Sequence, residues 1–396
     1  MSVTYHDLNP PERLLLGPGP SNVDPRVLRA MSTPLLGHLD PDFLKIMDET
    51  KQLLQYTFQT NNYLTLPVSG TGSAGMEAAL CNVIEPGDKV VVCVSGVFGE
   101  RMCDIVERCG AELIRVEAEW GHIIEPEQVE SAVKRGKVKV VAIVHAETST
   151  GILQPLEDIG RLAHEYGALF LVDTVTSLGG CPVKVDEWEL DVVYSGTQKC
   201  LSCPPGLAPI TFSPRAEQVL DARKNKVQSW YLDMTMIRRY WGQERFYHHT
   251  APISMCYALR EALRLIYEEG LEARWQRHAL NHRALMSGLQ AMGLQPFAQE
   301  GHWLPSLNAV RVPDGIQDLK VRGRLLQEYG IEIGGGLGKI KGQIWRIGLM
   351  GYNSTRKTVM VFLSALETVL RREGYPVRPG EAIAAVEKVY GMTTST

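Results

Sequence analysis

No run of apolar residues in this 396-residue chain approaches the roughly 20 that a membrane-spanning helix requires. The opening MSVTYHDLNPPERLLL has no cationic segment followed by a long apolar stretch, and the closing Thr-Thr-Ser-Thr matches no peroxisomal or retention signal. A cytoplasmic protein that avoids membranes is therefore expected. Neither sign of charge is in excess. Lys+Arg 41 against Asp+Glu 45 leave a net charge of -4, too balanced to predict binding to nucleic acid or an anionic bilayer. Repeats and low-complexity tracts are lacking. The eight cysteines (81, 93, 103, 109, 181, 200, 203 and 256) sit mostly inside hydrophobic segments, and none lies beyond Cys256. A chain long enough for two domains needs no disulfide staples, so reduced, buried cysteines are expected.

What is present is a regular alternation. The start is rich in proline and glycine (Pro10-Pro11, then Gly17-Pro18-Gly19-Pro20-Ser21), which predicts an extended arm or tight turns. A helical pattern from 41 to about 60 follows, with Phe43, Leu44, Met47 and Leu54 on one side. Strands are then predicted at 63–68, 89–94, 111–116, 138–144, 168–172 and 191–194, and helices at 74–83, 100–109, 127–134 and 156–166. The strands are apolar along most of their length, as in a mostly parallel sheet covered on both faces, so the fold class is α/β. Beyond residue 255 the composition changes to long, charge-laced helices at 253–269 and 271–292. Two strands (307–312, 343–347) and two helices (316–329, 355–372) complete a smaller α+β domain. The expected division is an arm at 1–22, a large domain at 23–262 and a small domain at 263–396.

Open α/β sheets bind ligands at the carboxyl ends of their strands. The first strand ends in Ser69-Gly70-Thr71-Gly72-Ser73 and runs into a helix. Glycines there let the backbone approach a phosphate, the helix start offers unpaired N–H groups, and Thr71 and Ser73 add hydroxyls. The same loop reads G-x-G-x-x-G, but the acid that a dinucleotide ribose needs is missing at the next strand end, Ser95-Gly96. A tight turn without a ligand is the plain alternative. Asp173 ends an apolar strand, where a carboxylate is costly unless paired. It either caps a turn or faces the pyridinium nitrogen of pyridoxal phosphate, keeping it protonated. Lys199 closes Tyr-Ser-Gly-Thr-Gln-Lys, 26 residues after Asp173 and enough for one crossover. A solvated lysine titrates near 10.4, whereas an apolar rim lowers that value and favours an imine. Arg346, inside a strand of the smaller domain, suits either a salt bridge or a substrate carboxylate.

Three other patterns lead nowhere. Cys200 and Cys203 form a lone C-x-x-C. His145-x-Glu147 with that pair resembles a zinc deaminase signature, but Lys199 stands where the signature needs proline. Tyr247-His248-His249-Thr250 reads as a polar loop rather than a metal site, so no metal is expected.

Taken together, LLLGPGPSN (14–22), SGTGS (69–73), HAETSTG (145–151), LVDTVTSLGG (171–180), YSGTQK (194–199), YHHT (247–250) and WRIG (345–348) resemble the class V, fold-type I aminotransferases. The resemblance covers roughly residues 12–370 and is closest to the alanine–glyoxylate and serine–glyoxylate (serine–pyruvate) branch. It implies pyridoxal phosphate as cofactor and a large domain built on a seven-stranded, mostly parallel sheet. It also implies Lys199 as the Schiff-base lysine and Asp173 as partner of the pyridinium. Thr71, Gly72, Ser73 and Gln198 would hold the phosphate, and Thr148 would contact the ring's phenolic oxygen. Arg346 would grip the substrate α-carboxylate beside the turn at Gly19. Tyr247 and Thr250 would reach the phosphate of a neighbouring subunit, making a homodimer with shared sites. Mammalian members stack a tryptophan on the ring where this chain has Phe98, which still stacks but has no N–H donor. The implied reaction moves the amino group of alanine, or serine, to glyoxylate. A cysteine desulfurase would need a reactive cysteine in the smaller domain, and an aspartate or phosphoserine enzyme a further cation at the pocket, which the sequence does not point out. An NAD-linked oxidoreductase lacks the ribose acid, and a non-catalytic cofactor-binding protein would have no need of Arg346.

Overall fold

The computed structural model describes residues 5–393. Residues 1–4 and 394–396, which belong to the segments used for the targeting reading, lie outside the described residues. In chain order the first elements are β1 (Leu14–Leu16), α1 (Pro25–Met31), α2 (Pro41–Phe58), β2 (Leu64–Ser69), α3 (Gly72–Val83), β3 (Lys89–Val94), α4 (Val97–Arg108), β4 (Glu112–Glu117) and β5 (Val138–Val144). The remaining strands are β6 (Ala146–Glu147), β7 (Ile152–Leu153), β8 (Leu169–Asp173), β9 (Val192–Tyr194), β10 (Leu207–Phe212), β11 (Leu307–Arg311), β12 (Ile331–Gly335) and β13 (Ile344–Gly348). Local chemistry starts the helices cleanly. Asp40 accepts from the Asp42 amide ahead of α2 and Ser213 from the Ala216 amide ahead of the helix Pro214–Asp221, each followed by a proline in the first turn.

Seven strands form one mixed sheet in the order β2-β10-β9-β8-β5-β3-β4. All neighbours are parallel except β10, which is antiparallel to both β2 and β9. The sequence reading has no counterpart of β10, because LAPITF follows Pro204-Pro205-Gly206 and carries a proline of its own. In the fold Pro209 faces Pro67, and its carbonyl points the other way to accept from the Ser195 amide at 2.7 Å. A residue's N–H and C=O leave an antiparallel strand on the same side, so neither proline removes a donor from the β2–β10 ladder.

The N-terminal segment also departs from the expectation. Leu14–Leu16 is regular structure, pairing in parallel with Ile331–Ile333 of β12. This completes a second sheet, β1-β12-β13-β11. Its helices include Leu271–Ala291, Asp318–Tyr329, Arg356–Arg372 and Glu381–Thr393, the last unanticipated. Two large apolar clusters result, with two small ones beside them. The larger runs from Val27 to Leu271 around the seven-stranded sheet. The other joins Leu16 to residues between Ala284 and Tyr390. No helix among the described residues is long and apolar enough to cross a membrane. All eight cysteines are buried and unbridged.

Candidate active site

A pocket opens at the carboxyl ends of β2, β5, β8 and β9, and Thr71, Gly72, Ser73, Phe98, Thr148, Asp173, Gln198 and Lys199 all line it. Asp173 and Lys199 arrive there by strand pairing. Asp173 ends β8 opposite Tyr194 of β9, and three small or polar residues beyond Tyr194 bring in Gln198 and Lys199. The carboxylate is buried and accepts two hydrogen bonds, from the Val175 amide at 2.8 Å and the Tyr194 hydroxyl at 2.7 Å. Burial pushes its pKa up to about 6 despite those bonds and the nearby Lys199 and Arg101 charges. Burial likewise lowers the Lys199 amine to about 8, with the Arg346 guanidinium adding to the effect. Both groups thus hold their charged forms weakly, as titratable groups at reactive sites often do.

The GPGP segment reaches the pocket because Ser21 ties it down. Its amide donates to the Gln198 carbonyl at 2.9 Å and its hydroxyl to the Lys199 carbonyl at 2.9 Å. This leaves the Pro18 carbonyl accepting from Lys199 Nζ. Gly19 has φ +104, and a Cβ there would collide with the Lys199 side chain. On the other side of the loop, buried Arg274 donates to the Cys200 carbonyl at 2.6 Å and pairs with Glu269 at 2.6 Å. Lys199 is therefore fixed on a loop braced from both flanks.

The start of α3 forms one wall. Its N-cap residue Thr71 makes no side-chain cap bond and no acid occupies the first turn, so the helix end is open to an anion. A Cβ on Gly72 would meet Val175 Cγ2 at 3.2 Å, so a larger residue here would crowd Val175. Opposite stands α4, which begins at Val97, three residues earlier than expected. The Phe98 amide donates to Glu147 Oε2 at 3.1 Å, and Ser149 Oγ accepts from the Val97 amide at 3.0 Å. Glu147 is fully buried, and burial raises its pKa to about 7. The sequence offers Glu147 as part of HAETSTG and of a rejected zinc pattern, but gives it no role. Among the described residues no group of three His, Cys, Asp or Glu is placed to hold a metal.

Arg346 stands apart from that lining. It is buried on β13, where Nε donates to the Gly335 carbonyl at 2.7 Å and Nη1 to the Thr148 carbonyl at 3.2 Å. It faces the pocket through Thr148 and borders an adjoining cleft with Asp318 and Arg322. Tyr247 and Thr250 do not line their own chain's pocket. Tyr247 is about half exposed beside His38, while His249 meets Ser69 Oγ at 2.7 Å. Sequence reasoning missed Arg101, Met76, Val175 and Thr176 in the lining. Arg101 had a signal, since it lies one helical turn after Phe98, but a helix thought to begin at 100 hid it.

Residues 14–358 match the aminotransferase class-V family. The chain belongs to that family. It is 44% identical to the (S)-ureidoglycine–glyoxylate transaminase of Bacillus subtilis (strain 168), over 97% of each chain. It is also 44% identical to the alanine–glyoxylate aminotransferase of Callithrix jacchus, over 92% of this chain and 89% of that one. The solved alanine–glyoxylate aminotransferase of Nostoc sp. has a TM-score of 0.92 at 50% identity, covering 93% of this chain and 98% of its own. The ureidoglycine–glyoxylate aminotransferase of Bacillus subtilis has a TM-score of 0.96 at 45% identity, covering 98% and 100%. This class-V aminotransferase has the fold-type I architecture of those enzymes and takes pyridoxal phosphate as its cofactor. The pocket fits that group. Gln198 Oε1 is buried without a partner beside the open end of α3, and a buried acid and a depressed lysine face the same space.

Proposed function

We propose that the enzyme transfers the amino group of alanine, and with it serine, to glyoxylate, giving glycine and pyruvate or hydroxypyruvate. The observation that carries this reading is the convergence of Lys199 and Asp173 on one pocket at the open end of α3. The bound cofactor supplies an electron sink for the bond breaking at the substrate's α-carbon. The residues do the rest. Thr71, Gly72, Ser73 and Gln198 would hold the phosphate, Phe98 would cover the ring, and Thr148 would meet the phenolic oxygen. Asp173 would keep the ring nitrogen protonated. Burial and the Arg346 charge lower the Lys199 amine to about 8, which makes its neutral form accessible, and that amine would carry the α-carbon proton. Arg346 orients the substrate carboxylate with the Gly19 turn shaping the pocket. The fork is already engaged by two carbonyls, so a carboxylate would take its remaining donors.

One observation favours a second donor. The Bacillus subtilis relatives that match nearly end to end are named for (S)-ureidoglycine. Arg101, the further cation at the pocket, bonds Ser73 at the phosphate end and so lends no support to an acidic substrate side chain. We also propose that the chain works as a homodimer in which Tyr247 and Thr250 reach the partner's phosphate. The exposure of Tyr247 with Trp230, Tyr231 and Phe246 supports a covered face there. Initial rates with alanine, serine and (S)-ureidoglycine, each with glyoxylate, test the donor. Turnover of alanine is expected, and failure with all three overturns the proposal. Lys199→Ala should abolish both turnover and the visible absorbance of bound cofactor.

A further inference from the structure

The phosphate of the cofactor is close to a dianion at neutral pH, yet the cradle that receives it is neutral. Thr71, Gly72, Ser73 and Gln198 contribute hydroxyls, amides and one carboxamide. His249, which reaches the same loop through Ser69, is held neutral, its pKa lowered to about 4 by burial and then by His248 and His38. Lys199 carries its charge at the other end of the pocket, against the Pro18 carbonyl. The remaining cation in the lining is Arg101, and no carboxylate among the described residues pairs with it. Arg108 of α4 and Arg115 of β4 are both spent on acids.

We infer that Arg101 binds the cofactor's phosphate, supplying the charge that the neutral cradle lacks. Its placement is specific. The guanidinium carbon lies 5.0 Å from the centroid of the Phe98 ring, and Nη1 donates to Ser73 Oγ at 3.0 Å. The guanidinium therefore spans the side chain that covers the ring and the first turn of the helix that meets the phosphate. One donor is used on Ser73. The planar fork keeps others for phosphate oxygens, and a charge-assisted bond of that kind is stronger than a neutral one. The same charge acts favourably on Asp173, whose ionised form it stabilises. α4 thus serves both ends of the cofactor from one face, Phe98 on the ring and Arg101 on the phosphate.

The inference rests on the cofactor assignment above, and the test separates the two. Apoenzyme is titrated with pyridoxal phosphate and, separately, with pyridoxal, which lacks the phosphate, following protein fluorescence at equilibrium. Arg101→Gln should bind pyridoxal phosphate about 10- to 100-fold more weakly, the loss of one charged hydrogen bond. Its affinity for pyridoxal should match the wild type. Arg101→Lys should recover part of the difference, and raising the salt should weaken the wild type more than Arg101→Gln. Equal losses for both ligands would mean that Arg101 only holds the Phe98 ring, which overturns the inference, as does an unchanged affinity for pyridoxal phosphate. If Arg101→Gln fails to fold, the salt dependence of the wild type toward the two ligands decides: a steeper dependence for pyridoxal phosphate supports the inference, and equal dependence overturns it. Wild-type apoenzyme that binds neither ligand would overturn the cofactor assignment itself.

Discussion

Asp173 is held in a state that its own fold disfavours. Its pKa in the folded chain is raised to about 6 against an ordinary carboxylate value of 3.8, with burial as the first cause. For an acid whose folded pKa is raised, ionisation costs stability. That cost is absent below about pH 4, grows between about 4 and 6, and is fully present above. Asp173→Asn removes it, since Tyr194 can turn its hydroxyl to serve the amide. The cofactor-free variant should therefore melt at or above the wild-type Tm at pH 7, and the gap should close as pH falls toward 4. Activity should move the other way, falling about 100-fold or more because the ring nitrogen loses its ionic partner. A lower Tm at pH 7 together with full activity would contradict both halves. Asp173 is legible in sequence because a carboxylate closing an apolar strand needs a partner, and Lys199 because it follows the next strand through small, polar residues. Glu147 and Arg101 are not. Glu147 earns its place only when the start of α4 packs on it, and an arginine on an amphipathic helix looks like any solvated charge.

At the scale of elements, strands read well where the pattern is local. Lys89–Val94 and Val138–Val144 coincide with the expected ranges because each is a β-branched run bounded by turn residues. β10 and β12 are not legible in the sequence because proline and glycine interrupt them, and each has a partner far away in the chain, β2 for β10 and β1 for β12. The start of α4 was missed because glycine, at position 99, is a poor helix former in isolation. Its reason is tertiary. A Cβ on Gly99 would lie 2.9 Å from the Cys93 carbonyl oxygen and 2.9 Å from Val94 Cα, so glycine allows α4 to seat on β3. Gly323 in the helix Asp318–Tyr329 has nothing within 4 Å of the same atom. One substitution should thus have opposite signs. Gly99→Ala should destabilise by about 1–3 kcal/mol and weaken cofactor binding, since Phe98 and Arg101 move with α4. Gly323→Ala should stabilise by up to about 1 kcal/mol through helix propensity and leave the cofactor untouched. Urea titrations with cofactor affinities measured on both variants check this, and equal effects would show that the seat of α4 on β3 is not tight.

At the scale of the whole molecule, the least legible feature is where Tyr247 and Thr250 act. No pattern within one chain says that a residue serves a neighbour, and only the family resemblance raised it. In the fold the pair stands outside its own pocket, with Tyr247 about half exposed. Mixing two inactive variants separates action across an interface from action within a chain. Lys199→Ala removes the lysine and keeps the tyrosine, and Tyr247→Ala does the reverse. If Tyr247 completes the partner's site, a heterodimer of the two has one site with both defects and one with an intact Lys199 and an intact Tyr247. Co-expression with two different tags, followed by isolation of the doubly tagged species, should then recover about half of the wild-type activity. If Tyr247 acts within its own chain, each site of that heterodimer carries one defect and activity stays at the level of the variants alone. A particle with the mass of one chain by light scattering would remove the shared site altogether. The cofactor phosphate would then depend on Arg101 and the start of α3 without help from a second subunit.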